Sequence, residues 1–466
     1  MGTRLKRALK WIILGAAAFL ILLAAEAFYV FRAPLAPAWQ TVAPGQDDAV
    51  DFAHYPYSET VNAYMDGLCR KYPGLIRSLE IGRTHQGKPI FAYTLTSFQK
   101  GVARDKPGFF AVAQLHAREP IASQTALYFV TYLLENYGKD DTVTALLDTR
   151  VAYVVPQANP DGNDIFLSED ESHRGNARPT DADRDGRFNE DRLEAGLNHY
   201  KKSLYLFKVT WVWATKGKPF SAPAKETPWY VARSLGWVDN ANRPAPQRDK
   251  DGDGKAAEDP FHGVDPNRNW DVAWSKGDPN PSSDTYRGPE PFSEPESKAV
   301  SDFAMSHPNV VSFLDLHSGT NSYLYPPTVS GKAPPEAPIH QEIGARVAKA
   351  LNLEGLPFAF SQNVDPAGKS ADWFYSRGVF ATTLEVFGDT RTYIARQLWP
   401  LPLYVRYTSM SRSFNPAPEN IEEIVRNRVQ AVLYLFAAMP DAGVRSAAWS
   451  GAYQPTTDLA AKILPP

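Results

Sequence analysis

An imidazole and a carboxylate stand three residues apart in His116-Ala117-Arg118-Glu119, directly after the largely apolar run Phe109–Leu115. Both side chains bind zinc, and a hydrolytic zinc site takes three protein ligands while leaving one position open. A third ligand type, His317, follows a second apolar run, Val310–Leu316, and Glu385 follows a third, Phe380–Leu384. An acid at the end of an apolar strand is costly unless it is used or paired. Beside a metal-activated water it can accept a proton. The short segment Gly263–Trp270 adds Asn267, Arg268 and Asn269, and a guanidinium among amides suits a two-point grip on a carboxylate.

Such groups need rigid elements to hold them. Pro120 suits the first position of a helix, and Ile121, Leu127, Val130, Leu133 and Leu134 recur at helical spacing after it. His116 and Glu119 therefore belong to a strand-to-helix turn. Ligand sites in open α/β sheets lie outside the carboxyl ends of strands, where His317 and Glu385 also fall. Around them the pattern predicts a helix over 58–72, strands over 75–82 and 90–97, and a strand over 151–156. A turn at Asn159–Gly162 follows, then a helix over 293–306 capped by Ser293 with Glu296. A helix over 337–351, a strand over 379–386 and a helix over 418–438 complete the series. Strands alternating with helices describe an α/β layered fold with a mostly parallel sheet. The alternation lapses over 164–262, which reads as an insertion in a domain spanning 55–440; 32–54 reads as a linker and 441–466 as a tail.

The 466 residues, 43% of them hydrophobic, suffice for a large core. A net charge of −3 shows no basic surplus, so nucleic acid is not an expected partner. Cys69 is the single cysteine, which excludes an intrachain disulfide framework or a thiolate metal cluster. It shares an apolar helix face with Val61, Tyr64, Met65, Leu68 and Tyr72 and is expected to be buried. Arg4, Lys6, Arg7 and Lys10 precede the apolar run Trp11–Phe31. Residues 1–31 thus read as a cytoplasmic basic flank with a single-pass signal anchor or, cleaved near Ala25-Glu26-Ala27, a signal peptide. Either reading puts the remainder outside the cytoplasm, membrane-anchored or secreted to the periplasm or beyond.

His116-x-x-Glu119, Asn159–Gly162, Gly263–Trp270, Pro291–Glu296, His317-Ser318 and Thr383–Val386 occur in the order found in zinc metallocarboxypeptidases. From about Tyr55 to Ala438, the insertion aside, the chain resembles the carboxypeptidase A-like family. The resemblance implies a mixed eight-stranded sheet sandwiched by helices, with one zinc held by His116, Glu119 and His317. It casts Glu385 as general base and proton shuttle, and Arg174 as the oxyanion-stabilising arginine. Asn267 and Arg268 would hold the substrate's terminal carboxylate, with Arg118 touching substrate further from the scissile bond. Asp161, Ser293 and Glu296 match structural positions. The implied activity is hydrolysis of the carboxy-terminal bond of peptides with a free terminal carboxylate. Two alternatives share the scaffold: a peptidoglycan stem-peptide hydrolase, and a catalytically silent calcium-dependent binding protein. Glu385 and the full ligand set argue against the second.

The match is not complete. The capping tyrosine of the family aligns near Asn363 or Val364, although Tyr323, Tyr325 and Tyr375 are nearby in sequence. Gly368–Trp373 resembles the pocket strand, and its specificity position, Ala371, is neither acidic nor bulky.

The insertion offers something outside that resemblance. Asp181-x-Asp183-x-Asp185-Gly186 and Asp249-x-Asp251-x-Asp253-Gly254 are followed at equal offsets by Glu190-Asp191 and Glu258-Asp259. Alternate carboxylates on a tight loop converge on a hard cation, so both are candidate calcium loops. His54, His85, His173, His199, His262, His307 and His340 lack a partner at ligand spacing and read as ordinary.

Overall fold

Eight strands form the sheet on which the predicted groups lie. They are β1 Ile76–Arg83, β2 Pro89–Leu95, β3 Gly108–Ala113, β4 Val151–Val155, β5 Val310–His317, β6 Thr320–Tyr325, β7 Phe358–Phe360 and β8 Phe380–Phe387. Across the sheet the order is β7-β6-β8-β5-β3-β4-β2-β1. Seven strands make its body, and the three-residue β7 forms one edge. The central run β8-β5-β3-β4 is parallel, whereas β6 on β8, β2 on β4 and β1 on β2 are antiparallel. The sheet is therefore mixed: four parallel strands fill the middle, antiparallel pairs flank them, and the edge strand β7 runs parallel to β6. Every residue of β3, β4 and β5 is buried. Strands covered on both faces read as unbroken apolar runs, which is why these three stand out in the sequence.

The structure is a computed structural model that describes residues 3–32, 41–42, 50–168, 173–181, 186, 188, 200–206, 209–214, 263–281, 283–326, 334–351, 358–360, 367–388, 393–398, 403–409, 414–439 and 457–464. Alternate residues of β3 enter different cores. Phe109, Ala111 and Ala113 pack with Met65 and Leu68 of α1 (Ser58–Lys71), Leu127 and Leu133 of α2 (Pro120–Asn136), and Val429 and Val432 of a carboxyl-terminal helix. Phe110 and Val112 face the other way, against Val300 and Phe303 and against Trp373 and Phe374. Helices thus cover both faces of the sheet, as an α/β sandwich requires. Cys69 packs against the first core but is only partly buried, short of the full burial expected.

Several local expectations are corrected. A helix not foreseen, α3 (Asp141–Thr149), begins where the Asp140 side chain accepts from the Thr142 and Val143 amides at 2.8 and 2.9 Å. Asn159–Gly162 is no turn but the start of α4 (Pro160–Ser168): Asn159 Oδ1 accepts from the Gly162 amide at 2.9 Å, a cap in place of a reversal. The helix expected from Ser293 is α5 (Pro295–Ser306), and no side-chain cap forms there. Ser293 Oγ instead donates to Glu294 Oε1 at 2.6 Å, which spends the hydroxyl on a neighbouring carboxylate. α6 (Ala337–Ala350) falls where expected. The segment Gly368–Trp373 does not form a pocket strand; it leads into α7 (Ser370–Ser376). The last two helices are α8 (Ile421–Ala438) and, within the tail, α9 (Thr457–Ile463).

All of these elements belong to one unit, Trp39–Leu193 with Arg248–Thr390 and Met410–Pro466. A second unit comprises Met1–Ala38, Glu194–Gln247 and Arg391–Ser409. It contains the helix Thr3–Arg32 and a four-stranded antiparallel sheet, in which the aromatic stretch Tyr205–Trp213 lies in the pair Tyr200–Leu206 and Val209–Ala214. Among the described residues no helix is long and apolar enough to cross a membrane.

Candidate active site

The chain turns sharply after β3. Gln114 takes a left-handed backbone at φ 57°, held by its buried side chain, which donates to Asn163 Oδ1 at 2.7 Å and to the Ala117 carbonyl at 3.2 Å. This reversal sends His116 back over the sheet end. Glu119 becomes the residue before α2, with Pro120 at the first helical position. The strand-to-helix turn read from the sequence is therefore present.

His317 closes β5 and pairs in register with Glu385 of β8. His116 Nδ1 lies 2.8 Å from Glu119 Oε1, and His317 Nδ1 lies 2.8 Å from Glu119 Oε2. One carboxylate thus bridges two imidazoles whose ring centres are 4.5 Å apart. One ligand atom from each of the three residues lies within 4.8 Å of the others. Two imidazoles and a carboxylate are the donor set of a catalytic zinc site that keeps a position open.

The outer nitrogens strengthen that fit. His116 Nε2 is 3.2 Å from Asp265 Oδ1, and His317 Nε2 is 2.9 Å from Asp315 Oδ2. Carboxylates behind ligand imidazoles fix ring orientation and raise basicity. Neither Asp265 nor Asp315 was singled out from the sequence as functional. A signal existed for Asp315, an acid inside the apolar run of β5, whose burial demands a partner.

The electrostatics follow from this packing. Burial disfavours charge on Glu119, yet His116 and His317 beside it hold its carboxyl well below the usual range. Burial likewise opposes a charged His317, but Asp315 and Glu119 push it well above an ordinary histidine. Asp265 is buried too, and Arg174, His116 and Arg268 keep it well below the carboxylate range. Glu385 differs. Burial, then the Glu119 charge, push it up to about 7, and its buried Oε2 has no hydrogen-bond partner among the described residues.

The arginines and Asn267 approach the same place. Arg174 Nε donates to Asp265 Oδ2 at 2.8 Å, and its Nη2 lies 2.8 Å from His116 Nε2. Asn267 Nδ2 is 3.0 Å from Asp315 Oδ2 and 2.8 Å from His317 Nε2, while its Oδ1 accepts from the Ser370 amide at 2.8 Å. Arg268, buried next to it, donates through Nη1 to the Asn267 carbonyl at 2.7 Å. Arg118 lies over the Phe414 ring and pairs with Asp284 at 3.1 Å. The loop bearing Asn267 and Arg268 is backed by Gly368, at φ 64°, where a Cβ would come within 2.0 Å of the Arg268 carbonyl oxygen. Ala371 follows in α7 and is buried.

Other expectations resolve differently. Tyr323 Oη is 3.0 Å from His340 Nδ1, Tyr325 stacks on the same imidazole, and Tyr375 Oη donates to Glu336, so all three tyrosines are engaged away from the ligands. Asn363 and Val364 lie outside the described residues, as do His199 and His262. Asp183, Asp185, Asp249, Asp251 and Asp253 also lie outside them, with the acids that follow each run. Of the first candidate calcium loop, Asp181 is described: its Oδ2 accepts from the Gly186 amide at 3.3 Å. His85 is not ordinary, because the fold brings it to Glu294 and Glu296.

The comparisons agree with this geometry. The zinc carboxypeptidase family profile matches residues 61–211 and 225–431. Mouse carboxypeptidase A1 is 26% identical over 347 residues, covering 73% of this chain and 64% of the relative. Mouse carboxypeptidase A2 is 27% identical, covering 71% and 61%. The chain thus spans somewhat under two thirds of these relatives' length. The crystal structure of carboxypeptidase A from Helicoverpa armigera superposes with a TM-score of 0.56 at 20% identity, over 84% of this chain and 74% of the other, a likeness of fold. With the profile matched over most of its length, the chain belongs to the zinc carboxypeptidase family.

Proposed function

We propose that this chain is a metallocarboxypeptidase that removes the last residue of peptides. The observation that carries the reading is Glu119 bridging the two imidazole Nδ1 atoms beside a carboxyl, Glu385, poised near neutrality. His116, Glu119 and His317 would hold the zinc, which when bound supplies Lewis acidity to the scissile carbonyl and the attacking water. Glu385 takes a proton from that water at Oε2 and delivers it to the leaving amine. A pKa near 7 serves both transfers, since the group must accept and then release. Arg174, freed from its contact with His116, steadies the developing oxyanion. Arg268 and Asn267 seat the terminal carboxylate and so restrict cleavage to the chain end.

Action outside the cytoplasm belongs to the same proposal and rests on the amino-terminal sequence alone, four basic residues ahead of the apolar run Trp11–Phe31. The test of the enzymatic reading pairs elemental analysis with turnover of free-acid and carboxy-amidated forms of one peptide. One zinc per chain with cleavage of the free acid only is expected. Equal cleavage of both forms would exclude an exopeptidase.

A further inference from the structure

A second set of ligand-type atoms lies outside the site just described. His85, in the turn between β1 and β2, meets Glu294 and Glu296 at the start of α5, and one ligand atom of each lies within 4.8 Å of the other two. His85 Nε2 is 2.9 Å from Glu294 Oε2. Both carboxylates are fully buried, whereas the imidazole side chain is 24% exposed, so the cluster has a closed floor and an entrance from solvent. Glu294 is fully engaged: Oε1 accepts from Ser293 Oγ at 2.6 Å and Arg178 Nη1 at 2.8 Å, and Oε2 from Asn176 Nδ2 at 2.7 Å. Glu296 is not. Its Oε2 accepts from Asn176 Nδ2 at 2.8 Å, but its buried Oε1 has no hydrogen-bond partner among the described residues. A carboxylate oxygen left so is costly, and a cation held by the same three residues would satisfy it.

We propose that His85, Glu294 and Glu296 form a second divalent-cation site, for first-row transition ions of the manganese(II) type. Imidazole with carboxylates suits these ions, and the nitrogen donor disfavours calcium. Burial, with the Glu294 charge adding to it, pushes Glu296 up to about 7, and Glu294 holds His85 above an ordinary histidine against the effect of its own burial. A divalent ion then takes the place of up to two protons, so Arg178 beside Glu294 is no obstacle: the net charge of the cluster need not change. The role is bracing. Asn176 Oδ1 accepts from the Val264 amide at 3.0 Å, and the Glu294 amide donates to Asn269 Oδ1 at 3.0 Å. Between these two anchors lies the turn with Asp265, Asn267 and Arg268.

The test is a Mn2+ titration of the zinc-loaded full chain, in millimolar calcium to fill any all-oxygen loops, read by electron paramagnetic resonance of free Mn2+. The parent and Glu385→Gln are expected to bind one Mn2+ that His85→Gln and Glu296→Gln do not bind. The melting temperature should rise with Mn2+ in the parent and stay fixed in His85→Gln. His85 is in a surface turn, so its replacement tests the site even if Glu296→Gln does not fold. No bound Mn2+ in the parent, or equal binding by His85→Gln, overturns the proposal.

Discussion

Among the described residues of this unit, imidazole and carboxylate gather in sets of three at two places, around Glu119 and around Glu294, and the two clusters are built to opposite ends. At the first, two histidines share one carboxylate, and each ring is backed by a further acid, Asp265 or Asp315. At the second, two carboxylates share one histidine and one amide, with an arginine on the outer face. The first has Glu385 beside it, aimed in from a neighbouring strand end with a buried oxygen unpartnered. The second has no such neighbour among its described contacts. Donor type alone does not separate a reaction centre from a brace. What separates them is whether a proton-transfer group stands next to the donors.

The largest way to break that distinction is His317→Ala. Catalytic zinc and turnover should both be lost, while Mn2+ binding at His85 is kept; elemental analysis and the resonance titration read the two separately. Next comes Glu385→Gln, which should retain zinc and lower kcat by about 10²–10⁴-fold. A loss under tenfold would make Glu385 structural. Arg268→Lys should weaken free-acid substrates roughly 10–100-fold in kcat/KM, the worth of a charged hydrogen bond pair. Carboxy-amidated peptides should stay uncleaved by the variant, as by the parent.

The pH dependence sharpens the same contrast. Glu385 must be ionised to act, so kcat/KM should fall on acidification through about 7 and level off above it. Glu296 has its folded pKa raised from 4.5 to about 7. In metal-free buffer it therefore contributes stability that is complete below 4.5 and lost as pH rises through about 7. Glu296→Gln carries no charge at any pH and should flatten the decline of the melting temperature across that window by a few degrees.

How much was legible in the sequence follows the physics of each element. β3 and β5 are buried on both faces, so their apolar runs and the ligands at their ends could be read directly. Glu385 was legible for the related reason that an acid cannot close an apolar strand without a task. α4 and α7 were not, because Asn-Pro-Asp-Gly and Gly-Lys-Ser carry turn chemistry that a cap or a tertiary neighbour can divert into a helix. His85 was missed because its partner is 209 residues away, and spacing rules see only neighbours in sequence.

Gly368 carries a further consequence. Its missing side chain leaves room for the Arg268 carbonyl, and the Trp270 amide donates back to the Gly368 carbonyl at 3.2 Å. Three residues later comes Ala371, the position aligned with side-chain preference. If Ala371 sets preference as the resemblance implies, exchange there would change what is accepted, whereas a side chain at 368 would displace the backbone of Arg268 and with it the proposed grip. Libraries aimed at new specificity should vary the first and leave the second untouched.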